Sequence, residues 1–175
     1  MSLGKWVLDQ TLLGNCYHAA SAGAVTTSTV SATSTGLAIS NPWGSGKNLV
    51  IVQVRFQMSI EGAAASVTGL GVSPALSTTQ VVHTTPMVIH NGLMSGSDVD
   101  TGVGLVDAAA TLPAAPVWLK PLGGAIDDTL TETVPCFLEE SNGSLILPPG
   151  ADLSLMYLTT ATVGIASIVW VEIDQ

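Results

Sequence analysis

The 175-residue chain predicts an all-β fold, an antiparallel β-sandwich that is jelly-roll-like in its winding and preceded by an extended N-terminal arm. Three observations carry this. Residues 48–61 alternate with a period of two. Val50, Val52, Val54, Phe56, Met58 and Ile60 oppose Gln53, Arg55, Gln57, Ser59 and Glu61, as in a long strand with one face on a core. Clusters of Gly, Pro, Ser and Asp separate many short apolar runs, the punctuation of a turn-rich β chain. Helical periodicity is nearly absent, and the Ala-rich pieces at 62–65 and 107–110 are each about one turn long.

Residues 1–23 are expected to form an N-terminal arm or interface strand. Within them 5–13 reads as strand-like, and Ala19-Ala20-Ser21-Ala22-Gly23 lacks the bulk for a core and suits a segment lying along a neighbour. A single sandwich domain is expected over 24–175, because no linker divides it. Strand candidates at 24–30 and 36–40 lead to Asn41-Pro42-Trp43-Gly44-Ser45-Gly46, a turn-rich run that sets up the long strand. Shorter candidates follow at 66–73, 80–89, 103–106, 117–119 and 130–134. The C-terminal part reads as a strand at 144–147, a Pro148-Pro149-Gly150 turn, a strand at 152–159, a Thr/Ala/Gly connection and a strand at 165–173. In that last strand Ile165, Ser167, Val169, Val171 and Ile173 face one way, and Ala166, Ile168 and Trp170 the other, so that both faces are mostly apolar. Two apolar faces predict a central position or a subunit interface. The uncharged stretch 153–171 reaches spanning length, but its Ser, Thr and Gly content and its flanks Asp152, Glu172 and Asp174 predict two strands and no membrane span.

Hydrophobic residues make up 47% of the chain and charged residues 10%, so much of the surface is expected to be hidden against other protein, first of all copies of itself in a trimer. Thirteen acidic residues against Lys5, Lys47, Arg55 and Lys120 give a net charge of -9, which leaves no basic face for nucleic acid or for an anionic membrane. Cys16 and Cys136 show no CxxC or metal-finger spacing and are expected to be buried free thiols of a protein made in a reducing cytoplasm. Asp9 interrupts the N-terminal apolar stretch before a signal-peptide core can form, so Sec secretion is not expected.

The chemical motifs are sparse. Gly44-Ser45-Gly46-Lys47-Asn48 lacks both the earlier Gly and the following hydroxyl of a phosphate loop, and it opens a strand where that loop opens a helix. His18, His83 and His90 form no HxH or HExxH pattern, and Pro86 interrupts the seven-residue interval between the last two. Asp98 and Asp100 have calcium-loop spacing, but Gly102 stands at the third ligand position. The adjacent pairs Asp127-Asp128 and Glu139-Glu140 diverge in extended backbone. No Gly-x-Ser-x-Gly elbow occurs, and Asn142-Gly143-Ser144 reads as a hairpin turn. No catalytic residue, metal ligand or cofactor is therefore assigned. Of the four tryptophans, Trp6, Trp43 and Trp170, with Leu8, are the candidate interface residues, and Trp118 reads as a core or interface anchor.

The segments Gly36-Leu37-Ala38-Ile39-Ser40-Asn41-Pro42 through Gly46-Lys47-Asn48-Leu49-Val50-Ile51, and Leu145-Ile146-Leu147-Pro148-Pro149-Gly150-Ala151-Asp152-Leu153-Ser154-Leu155, resemble small structural proteins of tailed bacteriophages. Head decoration (cement) proteins and related β-sandwich capsid or fibre components are the nearest in style. The resemblance implies a non-enzymatic virion protein, often trimeric, on the outer surface of a capsid, with the major capsid protein lattice as its partner. Strong acidity suits that surface better than the DNA-facing side. The alternative is a fibre or adhesin-type sandwich that binds carbohydrate, which requires an exposed aromatic platform.

Overall fold

The structure, a computed structural model, describes residues 2–60, 66–93, 102–125 and 136–175. It is all-β apart from one helix, α1 (Leu3–Leu12). The strands are β1 (Cys16–Ala20), β2 (Val25–Thr26), β3 (Thr33–Ser34), β4 (Ala38–Ser40), β5 (Lys47–Ile60), β6 (Ser66–Val72) and β7 (Val82–His83). They continue with β8 (Ile89–Asn91), β9 (Leu105–Asp107), β10 (Ala110–Thr111), β11 (Val117–Ala125), β12 (Cys136–Leu147), β13 (Asp152–Tyr157) and β14 (Val163–Asp174). The expected strand at 130–134, the Ala-rich piece 62–65, and Asp98, Asp100, Asp127 and Asp128 lie outside the described residues.

One large sheet has the order β12-β5-β14-β1-β8, with β2 added to β14. A second has the order β11-β6-β13-β4-β9. The core lies between them. Tyr17, Leu49, Ile51, Phe56, Ile168 and Trp170 come from the first sheet and Ile39, Leu70, Val106, Leu153 and Leu155 from the second. A small third sheet, β3-β10-β7, covers part of the outer face of the second, where Ala38, Ala110 and Leu112 pack together. The stretch 153–171 is divided between β13 and β14, and among the described residues no helix is long and apolar enough to cross a membrane.

The long strand forms as its alternation predicts, but its phase breaks once. Val54, Phe56 and Met58 enter the main core together with Leu49 and Ile51, whereas Val50 and Val52 belong to a separate cluster on the outer face of the same sheet. Val50 and Val52 were expected on the same core as Val54, and a β-bulge corrects this. Gln53 pairs with Val169 and Ile51 with Trp170, so Val52 is the extra residue and the side-chain parity inverts across it. On the other edge of β5, Ser141–Ser144 bulge out of β12 between the pairs Glu140↔Gln53 and Leu145↔Ile51. Asn142-Gly143-Ser144 is thus a bulge inside one strand and not a hairpin turn; Asn142 and Gly143 take φ of 50° and 77° there.

The N-terminal segment departs most from expectation. Residues 5–13 were expected to be strand-like, but Leu3–Leu12 form α1. Ser2 caps its start by accepting from the Lys5 amide, Lys5 Nζ and Asp9 pair at 2.9 Å one turn apart, and Gly14 at φ 78° ends it. Trp6 and Val7 pack onto Cys16, Val50 and Val171 on the outer face of the first sheet. The second apolar face of β14 is therefore covered from within the chain, and β1 is an internal strand between β14 and β8 instead of an arm. The piece 107–110, expected to be a helical turn, joins β9 to β10 without one.

Candidate functional site

The chain's three histidines, scattered in sequence, are sorted by the fold into two settings. β1 and β8 pair so that His18 lies directly opposite His90, both on the outer face of the first sheet, since Tyr17, Ala19 and Ile89 point into the core. Their ring centroids are 5.8 Å apart at an interplanar angle of 40°. Partial burial, and secondarily the neighbouring His90, holds His18 below the ordinary imidazole range. Both rings border a concavity of about 750 Å³, floored by the small residues 19–24, Met87 and Ser167–Val169.

His83 sits elsewhere, under the small third sheet. Its Nε2 lies 3.1 Å from Ser40 Oγ, and its Nδ1 lies 3.6 Å from Asp107 Oδ2. Serine, histidine and aspartate in this order are the spatial arrangement of nucleophile, base and orienting carboxylate. The surroundings give it another role. Ser40 is only 4% exposed, and the amide after it, Asn41 N–H, already donates to Ala151 O, so that amide is not free to hold an oxyanion. Asp107 is fully buried and spends its carboxylate on the amides of Thr85 and Ala109. What the cluster does is fasten β7 and the loop after β9 to the second sheet. Burial holds His83 below its ordinary range, with Asp107 pulling the other way. The stability that a neutral His83 confers is present above about pH 6.5 and is lost as the pH falls.

Beside this cluster, β13 sets Asp152 opposite Ser40. Asp152 is buried with Oδ1 unpartnered, and burial pushes its carboxyl up to about 6. Because the folded value is raised, the ionisation penalty is absent below about pH 4, grows between about pH 4 and 6, and is complete above that, at roughly 3 kcal/mol. Asp152→Asn is expected to raise stability by up to about 3 kcal/mol at pH 7.5 and to change it little at pH 3.5. Urea unfolding at the two pH values checks this, and a gain independent of pH contradicts it.

The residues singled out for an interface separate. Trp6 is half-buried against the sheet, Leu8 is 56% exposed on the solvent side of α1, and Trp43 is 51% exposed. Trp43 lies over Gly150, where φ of 85° and the Trp43 ring leave no room for a side chain. Trp170 is wholly buried, stacked on Tyr17 at 5.8 Å, and is not available at the surface, which corrects its assignment to an interface. Leu12 and Leu13, which sequence reasoning passed over, are exposed beside Leu8. Lys47 of the glycine-rich turn is committed to Asp174 at 2.7 Å, which raises its ammonium above the usual range. Both cysteines are free. Cys16 is buried, which pushes its thiol up, but Cys136 is exposed, contrary to the expectation that both are buried. Among the described residues no group of three or more His, Cys, Asp or Glu is placed to hold a metal ion. No family model, curated protein or solved structure matches the chain.

Proposed function

We propose that the chain is a non-enzymatic virion structural protein, a capsid decoration (cement) protein that binds the outer face of a phage head as a homotrimer and stabilises it. The observation that carries this reading is the apolar side that α1 turns to solvent. Leu8 and Leu12, with Leu13 just past the helix end, are 56%, 64% and 69% exposed, in a chain of net charge -9 that has only four Lys and Arg residues. Adjacent aliphatic side chains left in water on a charge-poor surface are what a protein partner covers. The winding supports it as well. The main strands run β1, β4, β5, β6, β11, β12, β13, β14, and the orders β12-β5-β14-β1 and β11-β6-β13-β4 are those we read as a jelly roll, a form common in viral capsid and lectin domains. A fold of this kind hosts several functions, so the exposed helix carries more weight than the topology. For the carbohydrate-binding alternative, Trp43 is the one exposed ring among the described aromatic residues, and a single ring is not a platform.

Truncation of residues 1–23 is a poor test, because it removes an internal strand. The paired change Leu8→Glu with Leu12→Glu keeps the helix and spoils its exposed side. The wild type is expected to co-sediment with empty phage capsids, and the double variant, with an unchanged circular dichroism spectrum, to bind about thirtyfold more weakly or worse. Light scattering reads the oligomer in parallel. A folded double variant that pellets like the wild type overturns the helix as the contact. A wild type that ignores capsids and binds a glycan array replaces the decoration reading with the adhesin one.

A further inference from the structure

We propose that the His18–His90 pair is a two-imidazole chelation site for a borderline divalent transition-metal ion of the copper and zinc class, with water in the remaining positions. The argument is geometric. Directly opposed residues of an antiparallel pair project side by side from one face, and this pair stands on the outer face of the first sheet. A metal–imidazole bond of about 2.0–2.1 Å places each ring centroid roughly 3.2 Å from the ion. Two such rings then lie roughly 4.5 to 6.4 Å apart between right-angled and linear ligation. The observed 5.8 Å falls inside that span.

The nitrogens are also available. Neither ring makes a hydrogen bond to a described residue, in contrast to His83, whose Nε2 meets Ser40. Room for coordinated water is provided by the cavity alongside, where the small residues Ala20, Ser21, Ala22 and Gly23 share the lining with Met87, Val88 and Val169. No carboxylate or thiolate joins the pair to complete a structural zinc site, so the ion retains open, water-filled positions. Imidazole donors without sulfur suit copper, nickel and zinc, and copper binds most tightly in the divalent series. The separation in sequence, with His18 and His90 on two strands far apart in the chain, is why no spacing motif announces the site.

The test is titration of the full chain with Cu²⁺ in a non-coordinating buffer, followed by calorimetry and by electron paramagnetic resonance. The expected result is one ion per chain with a signal from two imidazole nitrogens. His18→Gln and His90→Gln, each checked for an unchanged circular dichroism spectrum, are expected to weaken binding about tenfold or more. Zn²⁺ is expected to shift the side-chain nitrogen resonances of His18 and His90 and to leave those of His83 in place, a reading that needs no variant. The proposal is overturned if the wild type binds no Cu²⁺ below about 1 mM, if either folded variant binds as the wild type does, or if the Zn²⁺-induced shifts fall on His83.

Discussion

Trp170→Ala is expected to destabilise the fold by about 3–5 kcal/mol, read as a fall in the urea midpoint at unchanged denaturant slope. The indole is fully buried in the main core, and a close-packed interior relaxes only partly into the space it would leave. It stacks on Tyr17 of β1 at 5.8 Å and 24°, so the loss extends to the packing of the strand beside it. The strand order gives the effect its reach, since β14 pairs with both β5 and β1, and these are the pairings that hold the centre of the first sheet together. Trp170→Phe keeps much of the volume and is expected to cost less than half as much. If Trp170→Ala leaves the midpoint unchanged but dissolves an oligomer, the residue is an interface anchor after all and the core assignment is wrong.

The parts of this fold that were legible in the sequence are those in which a periodic pattern and its burial agree. β5 is long enough for alternation to register, and the turns at 41–46 and 148–150 carry the Pro and Gly that such reversals use. The same alternation hid the bulge at Val52. An extra residue in a run where both faces are apolar leaves the hydrophobic pattern looking continuous, although the two halves face different cores. α1 was misread for a related reason. Trp6, Leu8 and the neighbouring apolar residues satisfy a two-residue period, but Leu3, Trp6, Val7 and Gln10, among the half-buried positions, follow the helical one, and Ser2 and Gly14 mark its ends.

The candidate sites were less legible still. Ser40, His83 and Asp107 come from β4, β7 and β9, and His18 and His90 from β1 and β8; strand pairing brings them together and no local spacing encodes it. Two-residue strands such as β7 and β10 are too short for any period to show. The apolar exposure of Leu8, Leu12 and Leu13 follows from the helix assignment, so the misread helix also concealed the surface on which the proposed function rests.

Glu172→Gln and Glu172→Ala address a carboxylate whose hydrogen bonds come from backbone amides and an indole N–H. Glu172 lies near the end of β14, 3% exposed, and its side chain turns inward beside Trp170. Its Oε1 accepts from the amides of Val103 and Gly104 at 2.9 Å each and from Trp170 Nε1 at 3.1 Å, and Oε2 accepts from Val103 N–H at 3.0 Å. Donors of this kind take the place of a counter-ion, since each charge-assisted bond contributes about 1.5–3 kcal/mol and together they offset the desolvation of the charge. The arrangement also pins the segment before β9 against the sandwich, where Gly104 approaches the indole so closely that a side chain there meets Trp170 Nε1 at 2.9 Å. Removal of the carboxylate by Glu172→Ala leaves two amides and the indole N–H buried without partners, and the expected cost is about 3–5 kcal/mol. Glu172→Gln retains one acceptor oxygen but aims an amide group at the same donors, so an intermediate loss is expected. A double-mutant cycle of Glu172→Gln with Trp170→Phe is expected to give a coupling of about 0.5–3 kcal/mol, because the phenylalanine has no N–H left to strand. Hydrogen exchange at Val103 and Gly104 reads the same contact locally: both amides are expected to be protected in the wild type and to exchange much faster in Glu172→Ala. Additive effects in the cycle, together with unchanged exchange at those two amides, would show that the carboxylate does not hold the segment in solution.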